Sequence, residues 1–187
     1  MANALLVIAN GSEDIESVAV SDVLKRGNVD VTIAALTDDK STTIKCAHIN
    51  TIIAHTHFDS CKHNEYDVII IPGGYNGSLA CRDSKDLIEK LKEQQQQNNK
   101  YIAAICAAPG FVLATHSIIT KDVKATGYPG CCDNIENFVD AKVVHDKEHK
   151  IITSKGPSTA IEFALEILAT IQDQETADKV ATDLLLK

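Results

Sequence analysis

Residues 101–120 read YIAAICAAPGFVLATHSIIT, a stretch without a single Asp, Glu, Lys or Arg. About 20 such residues are enough to span a bilayer, so the reading of this segment decides the fold. Pro109 and Gly110 interrupt its middle, and Thr115, His116 and Ser117 follow them, which suits a buried strand, a turn and a short helix better than a lipid-facing helix. We read a strand over residues 101–105, a turn at Cys106 and a helix over residues 111–115.

Outward from that segment, apolar runs of strand length alternate with stretches of helical period, the rhythm of βαβ units around a parallel sheet. Residues 4–9, 29–36 and 68–71 read as further buried strands, the last ending sharply at Pro72, Gly73 and Gly74. A helix is predicted from Ser12, as N-cap, to about Arg26, with Ile15, Val18, Ala19 and Val23 as its apolar face and Gly27 as its stop. Short β-prone pieces lie between Thr42 and Ile53, and an amphipathic helix is predicted over residues 83–97, its glutamine-rich end exposed. Residues 142–145 and 151–153 read as a hairpin, and residues 158–170 and about 176–186 as closing helices. The predicted class is α/β, a single domain over residues 1–187.

Composition excludes several functions. With 44% hydrophobic and 24% charged residues the chain can close a core, and a net charge of -8 opposes binding to nucleic acid or anionic lipid. Residues 1–9 lack a basic n-region and run straight into Asn10, Gly11, Ser12, Glu13 and Asp14, so we expect a cytoplasmic protein with reduced thiols, nuclear or mitochondrial pools being compatible with that.

Cys106 stands where strand gives way to helix, with Ala104 and Ala108 two residues to either side. Small residues at that spacing are what a nucleophile on a tight strand-to-helix turn requires. Free backbone N–H groups and a helix N-terminus there would favour thiolate, so a depressed pKa is expected. The plain alternative is one more small buried residue. Ligands of open α/β sheets bind at the carboxyl ends of the strands, an edge that Cys106 shares with Glu16, Gly73 and Gly74. The glycine pair could present N–H groups to an oxyanion or could simply end a strand. Glu16 alone would be a first-turn surface acid; beside a thiolate it would hold its proton and donate it to sulfur.

These motifs together resemble the ThiJ/PfpI superfamily, and within it the Parkinson disease protein deglycase (DJ-one) branch. The resemblance runs through GSEDIE (residues 11–16), PGG (72–74), AAICAAP (103–109), TSKGPSTAIEFAL (153–165) and the leucine-rich tail. It implies a flavodoxin-like three-layer sandwich around a mainly parallel sheet, of the class I glutamine amidotransferase-like kind, and a homodimer. It also implies a nucleophilic, oxidisable Cys106, a protonated Glu16, backbone donors at Gly73, Gly74 and Ala107, and Tyr128 and Pro157 as pocket-lining residues. Cys46 matches a redox-sensitive family cysteine near the dimer surface. The activity implied is a cofactor-independent glyoxalase or deglycase, turning 2-oxoaldehydes or their early glycation adducts on proteins into 2-hydroxy acids. The other function in view is a redox sensor and chaperone acting through a Cys106 sulfinate. The chain departs from the family pattern at Tyr128, where some members carry histidine before the proline, at His48 and Lys155, where arginine is common, and at Ile53, where some have cysteine.

Other constellations are weaker. His55, His57, Cys61 and His63 match no closed tetrahedral spacing, so no metal is expected. Cys131 and Cys132 are incidental thiols that can oxidise. His116 lies about 15 Å from Cys106 along a helix and is given no catalytic part. A cysteine-peptidase or amidotransferase reading would need His145 or His149 as base, and both sit in or beside a charged hairpin.

Overall fold

The structure, a computed structural model, describes residues 1–186; Lys187, the last residue of the expected domain, lies outside them. One sheet holds β1 (Asn3–Ala9), β2 (Asp30–Leu36), β5 (Thr56–His57), β6 (Val68–Ile71), β7 (Tyr101–Ile105), β8 (Val143–Asp146) and β9 (Ile151–Ser154), in the order β5-β2-β1-β6-β7-β9-β8. All neighbours are parallel except β8 and β9, the antiparallel hairpin at one edge. A separate two-stranded ribbon pairs β3 (Thr43–Lys45) with β4 (Thr51–Ile53).

The central strands are apolar on both faces because helices cover both. Along β1, Leu5, Val7 and Ala9 pack on one side and Ala4, Leu6 and Ile8 on the other, and β6 and β7 divide in the same way. The first side is closed by α2 (Phe58–Cys61), α3 (Tyr75–Asp83), α4 (Lys85–Gln96) and a π-helical turn over Pro109–Ala114, through Phe58, Leu87, Leu91, Val112 and Leu113. The second is closed by α1 (Asp14–Arg26), α5 (Ala160–Ile171) and α6 (Gln174–Asp183), through Val20, Leu24, Phe163, Ile167 and Val180. This is the mainly parallel sheet anticipated from the alternating pattern, in the three-layer sandwich that the family resemblance implies. Strand order reverses between β1 and β6, which opens a crevice at their carboxyl ends.

Several helical expectations need correction. In α1 the buried face is Glu16, Ser17, Val20, Val23 and Leu24, while Ile15 and Val18 are 56% and 53% exposed. The helix is rotated so that its carboxylate, not its first isoleucine, points inward. Glu13 rather than Ser12 is the N-cap; Ser12 Oγ accepts from Ala9 N–H at 3.0 Å and closes the turn before it. Residues 83–97 are not one helix, because Asp83 ends α3 and Ser84 caps α4. The helix expected over residues 111–115 is the π-helical turn, which starts at Pro109.

The glutamine tract is not wholly solvent-facing either. Gln94 is 1% exposed and its Nε2 donates to Tyr66 O at 2.9 Å and Tyr101 O at 3.2 Å, tying α4 to the start of β7. Gln94→Ala leaves two buried carbonyls short of a donor. It is expected to lower unfolding free energy by about 1–3 kcal/mol in urea titration, against no measurable change for the exposed Gln96→Ala.

Candidate active site

Three strand ends converge on Cys106. The residue sits immediately after β7 with φ 66°, a left-handed backbone that non-glycine residues adopt only where surrounding contacts enforce it. Its N–H donates to Ser154 O at 2.9 Å, and Tyr128 N–H donates to its carbonyl at 2.7 Å. The turn is thereby clamped from two sides. The adjacent Ala104, Ala107 and Ala108 are buried, as the need for small neighbours predicted.

Glu16 reaches the same point from α1. It is fully buried, and its Oε2 accepts from Gly73 N–H at 2.6 Å, while Oε1 has no hydrogen-bond partner of the ordinary kind. The Cys106 thiol interacts directly with this carboxyl. Gly73 is the spacer between them: a Cβ there would lie 2.7 Å from Glu16 Oε2 and 2.9 Å from Cys106 Sγ. Gly74 has φ 85°, and a Cβ on it would meet Glu13 N at 2.6 Å, so only glycine lets the chain after β6 pass the start of α1.

The electrostatics differ in part from expectation. Burial pushes Glu16 up to about 7, against the Gly73 N–H and the Cys106 thiol, which favour its anion. Cys106 was expected to be depressed. Burial first, and then the charge of Glu16, push it up to about 12, against the N–H groups of Gly74 and Ala107, which favour thiolate. The regular helix expected to lend its dipole is also missing, since a six-residue π-helical turn follows the cysteine. Both groups are pushed up by burial and each acts on the other, so they titrate as a coupled pair rather than as independent groups. The Glu16 charge that raises the sulfur vanishes whenever the carboxyl keeps its proton.

Of the three expected backbone donors, Gly73 is spoken for by Glu16, which leaves Gly74 and Ala107 facing the sulfur. The site opens into a cavity of about 690 Å³. Tyr128 and Pro157 line it, as does Cys46 with its neighbours Ala47 and His48. This loop is pinned to α1 by the Asp14 carboxylate, which accepts from His48 N–H at 3.1 Å and Asn50 N–H at 3.0 Å. Burial, then the charges of Asp14 and Glu13, push the Cys46 thiol up. Sequence reasoning missed Glu13, Tyr75, Asn76 and Cys131, all on the cavity wall. For Glu13 the signal was available, because it stands three residues before Glu16 in the GSEDIE segment.

The remaining candidates lie elsewhere. Lys155 pairs with Asp140, and neither lines this cavity. His145 Nδ1 is 2.8 Å from Glu166 and His149 Nδ1 is 2.9 Å from Asp146, and neither histidine lines the cavity onto which Cys106 opens. His116 Nε2 meets Arg82 O at 2.8 Å. His55 Nδ1 accepts from Ile33 N–H at 3.1 Å, His57 Nε2 is 2.9 Å from Thr37 O, and among the described residues no cluster is placed to hold a metal ion.

A sharply turned cysteine beside a buried carboxyl, at the strand ends of a flavodoxin-like sandwich, defines a thiol site of the ThiJ/PfpI kind. The profile of the DJ-1/PfpI family matches residues 2–170, and the chain belongs to that family. It is similar to DJ-1 homolog B of Arabidopsis thaliana, 37% identical over 173 residues, which are 91% of this chain but 38% of that longer protein. It is 33% identical to the glutathione-independent glyoxalase DJR-1.2 of Caenorhabditis elegans, over 97% of this chain and 95% of that one. The solved structure of oxidized Toxoplasma gondii DJ-1 superposes with a TM-score of 0.93 at 36% identity, covering 99% and 98% of the two chains.

Gly73→Ala tests the geometry. The added methyl group forces Glu16 and Cys106 apart, and a displacement of about 1 Å is expected to slow alkylation of Cys106 by iodoacetamide and any reaction depending on it by about 100-fold. Unchanged alkylation would show that the close approach at Gly73 has no chemical consequence.

Proposed function

We propose that this chain is a glutathione-independent glyoxalase, converting 2-oxoaldehydes such as methylglyoxal and glyoxal to 2-hydroxy acids, with early glycation adducts of the same carbonyls on proteins as further substrates. The observation that carries the reading is a fully buried carboxyl sharing a proton with a thiol at the base of an open cavity. The likeness to a relative named as such a glyoxalase supports it.

With the pair singly protonated, the Cys106 sulfur adds to the aldehyde carbon. The new C–S bond forms as the carbonyl π electrons move onto oxygen, where the N–H groups of Gly74 and Ala107 stabilise the charge. Glu16 gives that oxygen a proton. Its carboxylate then takes the proton from the carbon bonded to sulfur while the neighbouring carbonyl oxygen gains one, giving an enediol. Glu16 returns that proton to the neighbouring carbon as the first oxygen releases its own and becomes the thioester carbonyl. The product of these steps is a thioester of the 2-hydroxy acid. Water attacks the thioester carbon, the C–S bond breaks, and the acid leaves with the thiol regenerated. Overall one 2-oxoaldehyde and one water give one 2-hydroxy acid, and no step calls on a cofactor.

A homodimer and a cytoplasmic, reducing setting belong to the same reading. Ile15 and Val18 offer an apolar strip on α1 for a second copy, and the six cysteines are all free. The sensor and chaperone reading uses the same sulfur, which opens toward the cavity, and would stop at a sulfinate.

Lactate formation from methylglyoxal separates the readings. Wild type is expected to form lactate, Cys106→Ser none, and Glu16→Gln at least about 100-fold less. No lactate from wild type, together with ready sulfinate formation, would leave only the sensor. The pH profile tests the shared proton. Below about 7 both groups are protonated and no anion is available, so kcat/KM is expected to rise with pH through a midpoint near 7. A rate flat from about pH 5.5 to 8.5 would remove the pair from the mechanism.

A further inference from the structure

Cys106 is not the only thiol that opens into its cavity. Cys131 lines the same space, half-buried and free. The two are connected through Tyr128, whose N–H donates to Cys106 O at 2.7 Å and whose carbonyl accepts from Cys131 N–H at 3.1 Å. Cys131 thus rides on a tight turn hung from the reactive residue's own carbonyl. Cys132 is placed differently: it is 4% exposed, does not line the cavity, and its thiol donates to Cys106 O at 3.6 Å.

This turn is packed against the segment that carries Cys106. A Cβ on Gly127 would lie 2.9 Å from Cys106 O, and a Cβ on Gly110, four residues after Cys106, would collide with Cys131 O. That close packing holds Cys131 on the reactive residue's side of the cavity, and a disulfide needs Cα atoms about 4.4–6.8 Å apart.

We propose that Cys131 is a resolving cysteine for Cys106, giving the protein a two-thiol peroxide cycle that goes beyond the glyoxalase reading and shares with it only the nucleophilic sulfur. The Cys106 thiolate attacks a hydroperoxide, the O–O bond breaks, and a sulfenic acid forms as the distal oxygen leaves as water or alcohol after taking a proton. Cys131 sulfur then attacks Cys106 sulfur; the S–S bond forms, the S–O bond breaks, and the hydroxyl leaves as water with the Cys131 proton. Two electrons pass from the two thiols to the peroxide, and a dithiol reductant restores both. In this scheme the disulfide forms before a second peroxide can carry Cys106 to the irreversible sulfinate.

The test is intact mass and peptide mapping of the purified full chain after about two equivalents of hydrogen peroxide, the amount a sulfinate requires. Wild type and Cys132→Ser are expected to lose about 2 Da and to yield a Cys106–Cys131 linked peptide. Cys131→Ser, at a half-buried turn position, is expected instead to gain about 32 Da at Cys106, and several times faster than wild type does. The proposal is overturned if wild type and Cys131→Ser form sulfinate at equal rates, if the link joins Cys132, if Cys106→Ser still loses 2 Da, or if wild type takes up no oxidation at all. A linked peptide without lactate formation from methylglyoxal would overturn the glyoxalase reading alone.

Discussion

The hydrogen bond from Gly73 N–H to the buried Glu16 carboxyl, 2.6 Å long, is the contact on which the rest of the site depends. It joins the chain leaving β6 to the first turn of α1, so it fixes the rotation of that helix and places the carboxyl against Cys106. Burying a carboxyl without a partner is costly, and here one oxygen has a single backbone donor while the other has none of the ordinary kind. That shortfall is why the group rises to about 7 rather than remaining a simple anion. The rotation of α1 follows as well. Turning Glu16 inward forces Ile15 and Val18 out, which leaves an apolar strip on the surface that the core cannot use.

Cys106 adds a second constraint. A left-handed φ at a non-glycine residue costs on the order of 1–3 kcal/mol and persists only where neighbouring structure over-determines it. Here the clamp is the register of the sheet. β7 pairs with β6 on one side and β9 on the other, and Ser154 at the end of β9 takes the Cys106 N–H while Tyr128 holds its carbonyl. A residue held in this way cannot relax its sulfur away from Gly73, so strain in the backbone becomes position at the sulfur.

The sheet was legible in the sequence because each central strand is apolar on both faces and ends in glycine, proline or a polar residue. Residues 68–71 and 101–105 were read with the boundaries they have. Helix faces were less legible, since a periodicity argument treats Ile15 as core and Glu16 as surface, and only tertiary contact with Gly73 reverses that assignment. The role of Glu16 entered as a conditional, from the strand-end edge it shares with Cys106, and the likeness of the GSEDIE and AAICAAP segments added to it. Helix α3 went unread because Gly77 and the polar residues around it give little helical signal. The Cys106 pKa was misread for a related reason: sequence shows that a turn precedes something helical, but not that the helix is a π-helical turn or that the sulfur is buried against a carboxyl.

Charge around the cavity bears on what can enter and what must leave. Among the described residues lining it there is no lysine or arginine, while Glu13 stands in the wall and Glu16 lies beneath the floor. Lys155, where arginine is common in the family, is held by Asp140 and turned elsewhere, and His48 lies 3.2 Å from Glu13 rather than free to meet an anion. An uncharged 2-oxoaldehyde meets no electrostatic barrier in such a space. The carboxylate of a 2-hydroxy acid meets two acids and no strong cation, and in a partly desolvated cavity that repulsion is weakly screened. On the glyoxalase reading proposed above, the pairing of His48 and Lys155 with acids favours release of an acid product over its retention, and the same field opposes any ligand that arrives already carrying a carboxylate or phosphate.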